Sequence, residues 1–197
     1  MKRAGKIVLL AHCILNVNAK VSGIATVPAG CAHLVGKLLD EGYGIIQLPC
    51  MEQLCCGISR WGQVKDQLDF PAFRRRCAQV LEPILDQTED FVHCGYRVCG
   101  VIGLDGSPSC GVNKTCSGRW GGEIGNEYGL EEKIPTLHSV CGSGVMMEVL
   151  RAQLTERGLS LPFLAVNETD PDVDADRILF QLEENCEKEK EKKRNDE

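Results

Sequence analysis

Four short apolar runs, none long enough to fold alone, are spread along the chain: Lys6–Leu10, 45–48, 98–104 and 163–166. Beyond Lys6 and Gln47 they are apolar rather than alternating, which is the pattern of strands covered on both faces. Residues at helical spacing separate them. One stretch opens near Pro28, carries Cys31, Leu34, Val35, Leu38 and Leu39, and stops at Gly42. Another opens at Pro71 and runs through Phe73, Cys77, Val80, Leu81 and Leu85, with Pro83 weighing against a helix in its second half. Residues 145–154 form a third. The alternation predicts an α/β fold: a single open, mostly parallel sheet flanked by helices, in a Rossmann-like sandwich. A glycine-rich stretch from Gly118 to Gly129 precedes the third helix. One domain is expected over residues 1–186. Residues 187–197 are a charged tail, read as a solvated helix extension or frayed end.

Composition narrows the function. The 197 residues carry 22 Lys and Arg against 28 Asp and Glu, a net charge of −6. That balance disfavours a nucleic-acid partner, because phosphate neutralisation needs a net basic face. The one basic run, Arg74-Arg75-Arg76, reads as a solvated helix face. No apolar run reaches the roughly 18 residues of a membrane span, and no signal-peptide pattern opens the chain. The expected compartment is therefore the cytoplasm, with no membrane partner. Oligomeric state is not legible.

Cysteine is the unusual residue. There are 12 in the chain, about 6 %, below the roughly 8–10 % of a disulfide scaffold. A chain this long does not need disulfides to hold a core, so Cys31, Cys77, Cys94, Cys99, Cys141 and Cys186 are read as small buried hydrophobes. Cys13, Cys50 and Cys110 differ. Each stands just beyond the C-terminal end of an expected buried strand, and ligands bind at that edge of an open α/β sheet. Their spacings, 37 and 60 residues, match neither a ferredoxin run nor a zinc ribbon. The fold, not a local motif, must bring them together.

Three such thiols suit three chemistries. One is a tetrahedral zinc site completed by His12, His33 or Cys116. A second is an iron–sulfur cluster on three thiolates with one iron open, and a third is a nucleophilic thiol with a resolving partner. Cys55 and Cys56 are alternative ligands beside the second position. Glu52, two residues after Cys50, can share the rim. Gly106-Ser107-Pro108-Ser109-Cys110-Gly111 is a tight turn that sets two hydroxyls next to a thiol. Taken singly, Glu52 would be a surface charge, Ser107 a turn residue and His12 a hydrogen-bonded histidine.

Read together, His12-Cys13-Ile14-Leu15-Asn16, Pro49-Cys50-Met51-Glu52 and the Ser107-Pro108-Ser109-Cys110-Gly111 turn resemble the signature segments of the thiouracil desulfurase (desulfidase) family. The resemblance is closest to a branch of related desulfidases. Ser59-Arg60-Trp61-Gly62 with Lys65, Gln67, Asp69, Pro71 and Phe73-Arg74 carries it further, and it spans residues 6–166. It implies a [4Fe–4S] cluster with one open iron, held by Cys13, Cys50 and Cys110. It also implies non-redox removal of sulfur from a small thiolated pyrimidine, with release of sulfide. Glu52 falls on the family's acid–base position, and Ser107 or Ser109 on its catalytic serine. Two departures stand out. Met51 replaces the family's usual proline between the cysteine and the glutamate, and Ile14-Leu15-Asn16 stands where the characterised enzymes have Leu-Leu-Gly. The alternative is a non-catalytic zinc- or iron–sulfur-binding sulfur carrier using the same cysteines.

Overall fold

The computed structural model describes residues 3–123, 129–167, 169 and 173–195, with only the backbone given for 189–195. Its centre is a four-stranded, wholly parallel sheet of β1 (Lys6–Leu10), β2 (Tyr43–Gln47), β3 (Arg97–Asp105) and β6 (Phe163–Asn167), in the order β2-β1-β3-β6. Val8, Leu9, Leu10, Val101 and Ile102 have no solvent exposure, as strands covered on both faces require. Each fully buried Leu or Ile of this kind stabilises the fold by roughly 1.5–3 kcal/mol relative to exposure.

Two helical layers supply the cover. On one side α5 (Pro71–His93) packs on β3 and against α7 (Val145–Glu156); on the other α8 (Ala175–Asn195) packs on β3 and β6 and against α2 (Ala32–Asp40). The α5–α7 seam is closed by charge at both ends. Arg157, capping α7, donates to Glu82 (2.6 Å), Asp86 (2.8 Å) and Glu89 (2.6 Å) of α5. Glu148 accepts from Arg74 at 2.6 Å and from Lys65 of the short helix α4 (Lys65–Leu68).

Four details depart from the sequence expectations. Residues 28–30 are not helical, and α2 starts at Ala32. Gly30 is pressed against the carbonyls of Ile14 and Leu15, where a Cβ would stand 3.0 and 2.8 Å away. Cys31 N donates to Ile14 O, and Ala29 O accepts from Val17 N, so this segment lines the first loop instead of coiling. Pro83 does not stop α5, because its ring lies on the exposed face while Phe73, Cys77, Leu81, Leu85 and Thr88 bury the other. A small antiparallel pair, β4 (Lys114–Ser117) with β5 (His138–Cys141), was not expected. The fourth detail is cysteine placement. Cys31 and Cys77 are buried as expected, but Cys94 at the end of α5 and Cys141 on β5 are exposed. Cys99 and Cys186 are buried but joined as a disulfide, with Cα atoms 5.2 Å apart. The β1–β3 register skips Cys99 between Ile7↔Val98 and Val8↔Gly100, so Cys99 sits at a bulge. Part of the glycine-rich stretch, residues 124–128, and the last two residues of the charged tail lie outside the described residues. The backbone of α8 continues unbroken through the tail to Asn195.

Among the described residues, no helix is long and apolar enough to cross a membrane.

Candidate functional site

The strand order reverses direction of growth between β1 and β3: β2 is added on one side of β1, β3 and β6 on the other. In open parallel sheets this reversal opens a crevice beyond the carboxyl ends of the strands. Here the strand ends stay in register past the sheet, because Ala11 N donates to Ile102 O at 2.9 Å and Leu48 N to Leu10 O at 2.7 Å. The three loops that follow therefore begin side by side. The first becomes helix α1 (His12–Leu15), which carries Cys13 in its first turn. The second leads to α3 (Met51–Cys56), whose capping residue is Cys50; its Sγ accepts from Gln53 N at 3.4 Å. The third is the turn from Gly106 to Gly111.

That third loop is unusually constrained. Asp105 Oδ1 accepts from the amides of Val112, Asn113 and Lys114 at 3.0, 2.8 and 3.2 Å. Ser107 Oγ accepts from the amides of Ser109 (3.3 Å) and Cys110 (3.0 Å). The first amides of α7 are spent on the same loop: Val145 N donates to Pro108 O, and Met146 N and Met147 N to Ser109 O. Close approach is allowed by two glycines. A Cβ on Gly103 would lie 2.4 Å from Cys110 O, and one on Gly144 2.5 Å from the Ser109 carbonyl carbon. Gly106, with φ 94°, makes the turn itself.

The loops enclose a cavity of about 140 Å³, lined by Cys13, Cys50, Cys110, Cys116, Glu52 and Ser107, among others. The cavity is smaller than the roughly 300–1,000 Å³ of a drug-sized pocket. A second cavity of about 280 Å³, walled by Trp61 and Trp120, adjoins it at Gly62 and Gln63. The three cysteines singled out by their strand-end positions are thus gathered. Among the alternatives, His12 and Cys116 also line the cavity, whereas Cys55, Cys56 and His33 are exposed and do not.

Glu52 is not a surface charge. It is buried, and Oε1 accepts from Ser109 Oγ at 2.7 Å and Ser107 Oγ at 3.3 Å. The two serines are separable by position: Ser107 lines the cavity, and Ser109 is wholly buried behind it, its Oγ also 3.4 Å from Cys110 Sγ. Arg60, which sequence reasoning quoted only within the resemblance, faces the other oxygen, with Nε 3.5 Å from Glu52 Oε2. The Arg60 contact had no local signal, since it joins two separate loops. Asp105, a turn residue by its place before Gly106, also pins the third loop.

Burial pushes the Cys110 thiol well above its ordinary range, and negative charge on Cys13, Glu52 and Cys50 adds to the effect against the Ser109 hydrogen bond. Cys50 is raised too, first by burial, with the Gln53 amide and Arg60 opposing. Burial lowers the His12 imidazole, which favours its neutral form. A soft cation among these thiols would displace their protons, and thiolate sulfur is the donor that iron–sulfur clusters and zinc take. By residue type alone the donor set suits such a group. Among the described residues, however, no group of three or more Cys, His, Asp or Glu side chains is placed so that it could hold a metal ion.

A protein of Methanocaldococcus jannaschii named "Uncharacterized protein MJ0003" is 35 % identical over 109 residues, covering 55 % of this chain and 69 % of that protein. The chain belongs to the same family as that archaeal protein. No family model and no solved structure matches it. The name of that archaeal protein states no activity, and none passes from it to this chain.

Proposed function

We propose that the protein is an iron–sulfur-dependent desulfidase that hydrolyses a small thiocarbonyl compound of the thiolated-pyrimidine type to a carbonyl and sulfide. One observation carries the reading: three strand-end thiols share a small cavity with a buried carboxylate that two serine hydroxyls hold in place. Cys13, Cys50 and Cys110 are the residues that would hold a [4Fe–4S] cluster. When bound, it would supply a soft Lewis acid for the thiocarbonyl sulfur.

The protein's own groups account for the remainder. Glu52 accepts a proton from the water that adds to the substrate carbon, a step typically worth about 10²–10⁴-fold. Ser109 and Ser107 donate to the same oxygen, Oε1, and so direct the carboxylate. The overall exchange, thiocarbonyl plus water to carbonyl plus hydrogen sulfide, transfers no electrons.

A second reading has its own support. Cys116 makes a fourth thiol on the cavity wall, which is the donor count of a closed structural site, as a zinc- or cluster-bearing sulfur carrier would have. Purification without oxygen separates the two. The desulfidase reading expects a brown protein containing iron and acid-labile sulfide that converts thiouracil to uracil. A colourless protein loaded with zinc and inert toward thiouracil would overturn it.

A further inference from the structure

Both oxygens of the Glu52 carboxylate are restrained. Oε1 is held by Ser109 and Ser107, and Oε2 faces the Arg60 guanidinium at 3.5 Å. The two side chains are only 4 % and 10 % exposed, so water screens their attraction little. Arg60 cannot drift away, because Nη2 donates to Ala19 O at 2.8 Å and Nη1 to Gly57 O at 3.1 Å. Its Nε makes no hydrogen bond. It is thus charge and placement, not a shared proton, that act on Glu52.

The restraint has a chemical reason. Glu52 sits on the first turn of α3, two residues from Cys50, and lines the same cavity. Carboxylates in general ligate metals, and a released Glu52 would compete for a coordination position left open for substrate. We propose that Arg60 is a positioning residue that keeps Glu52 off the metal, reserving the open iron for the sulfur of the substrate. This rests on the reading that the three thiols hold a cluster with one open iron. The step involved is ligand exchange alone, with no change of oxidation state.

The test uses the full chain, reconstituted without oxygen, its cluster reduced and its electron paramagnetic resonance spectrum recorded with and without hydrosulfide as the probe. The wild-type spectrum should shift on addition of hydrosulfide. Arg60→Met should give an altered spectrum before any addition and bind hydrosulfide about 10–100-fold more weakly. The double variant Arg60→Met with Glu52→Gln should recover the response, since the competing carboxylate is gone. Arg60→Lys keeps a positive charge beside Glu52 but loses the two carbonyl bonds, and should also respond. A wild-type response in Arg60→Met overturns the proposal. So does loss of the cluster from Arg60→Met, the double variant and Arg60→Lys alike, which assigns Arg60 to pinning loops. A wild-type chain that takes up no cluster overturns the underlying reading instead, before any variant is made.

Discussion

Ser109 Oγ donates to Glu52 Oε1 at 2.7 Å across 57 residues of sequence, and both residues are buried. The bond joins the loop after β3 to the helix after β2, so a cysteine ligand candidate from each loop is fixed relative to the same carboxylate. The first prediction follows. Glu52→Gln keeps the volume and can still accept from Ser109, but it no longer takes a proton near neutrality. Iron content should be unchanged, while turnover of a thiolated pyrimidine falls about 10²–10⁴-fold. Equal loss of iron and activity would show Glu52 supporting the cluster instead.

The second concerns ligation. Changing Cys13, Cys50 or Cys110 singly to Ser should abolish iron binding, measured by metal analysis after anaerobic reconstitution. Cys77→Ser, on the buried face of α5 and not among the cavity-lining residues, should retain it. Cys55→Ser and Cys56→Ser should also retain it, because both thiols are exposed. The informative variant is Cys116→Ser: full iron supports three-thiol ligation, and lost iron favours the four-thiol carrier.

Gly144→Ala tests how the Cys110 loop is seated. The new methyl would fall 2.5 Å from Ser109 backbone, which neither the loop nor α7 can yield without breaking the amide bonds between them. Overpacking of this kind costs about 1–3 kcal/mol. A lower Tm together with reduced iron binding is expected, whereas Gly36→Ala, within α2 and with open space around the new methyl, should leave iron binding unchanged and raise the Tm slightly.

Acid should weaken the α5–α7 seam. The Arg74 hydrogen bond holds the Asp69 carboxyl below its usual range. Glu148 is pushed up by burial, but hydrogen bonds from Lys65 and Arg74 outweigh this and leave it lowered. Carboxyls lowered on folding stabilise the protein above their unfolded values, near 3.9 and 4.3, and that contribution is lost as pH falls through their folded ones. The Tm difference between wild type and Glu148→Gln should therefore be present at pH 7 and shrink below about pH 4. Both groups are about one-third exposed, so the effect is modest. A gap that stayed constant with pH would place the stabilisation elsewhere.

The parallel strands were legible because their burial on both faces leaves an uninterrupted apolar run, as in 98–104. Thiol convergence followed from strand ends alone, since a parallel sheet aligns them on one edge. What escaped has a common cause. β4, with the sequence Lys-Thr-Cys-Ser, is too short and polar to carry a strand period. Cysteine is apolar enough to be buried and small enough to be tolerated outside, so nothing in the residue type set Cys94 and Cys141 apart from Cys31 and Cys77. Pro83 reads as a helix breaker until its neighbours' burial shows that its ring faces solvent. The Glu52–Arg60 pairing depends on where three loops meet, and no spacing within one loop encodes that.

The amides that begin α7 are bonded to the carbonyls of Pro108 and Ser109, which makes the helix and the cysteine loop one mechanical unit. Loosening of the loop must release Met146 and Met147 amides that are otherwise shut away from water. Their deuterium exchange is then a local clock for the site: slow while the loop is seated, fast when it lifts. It can be read in a protein that contains no iron at all.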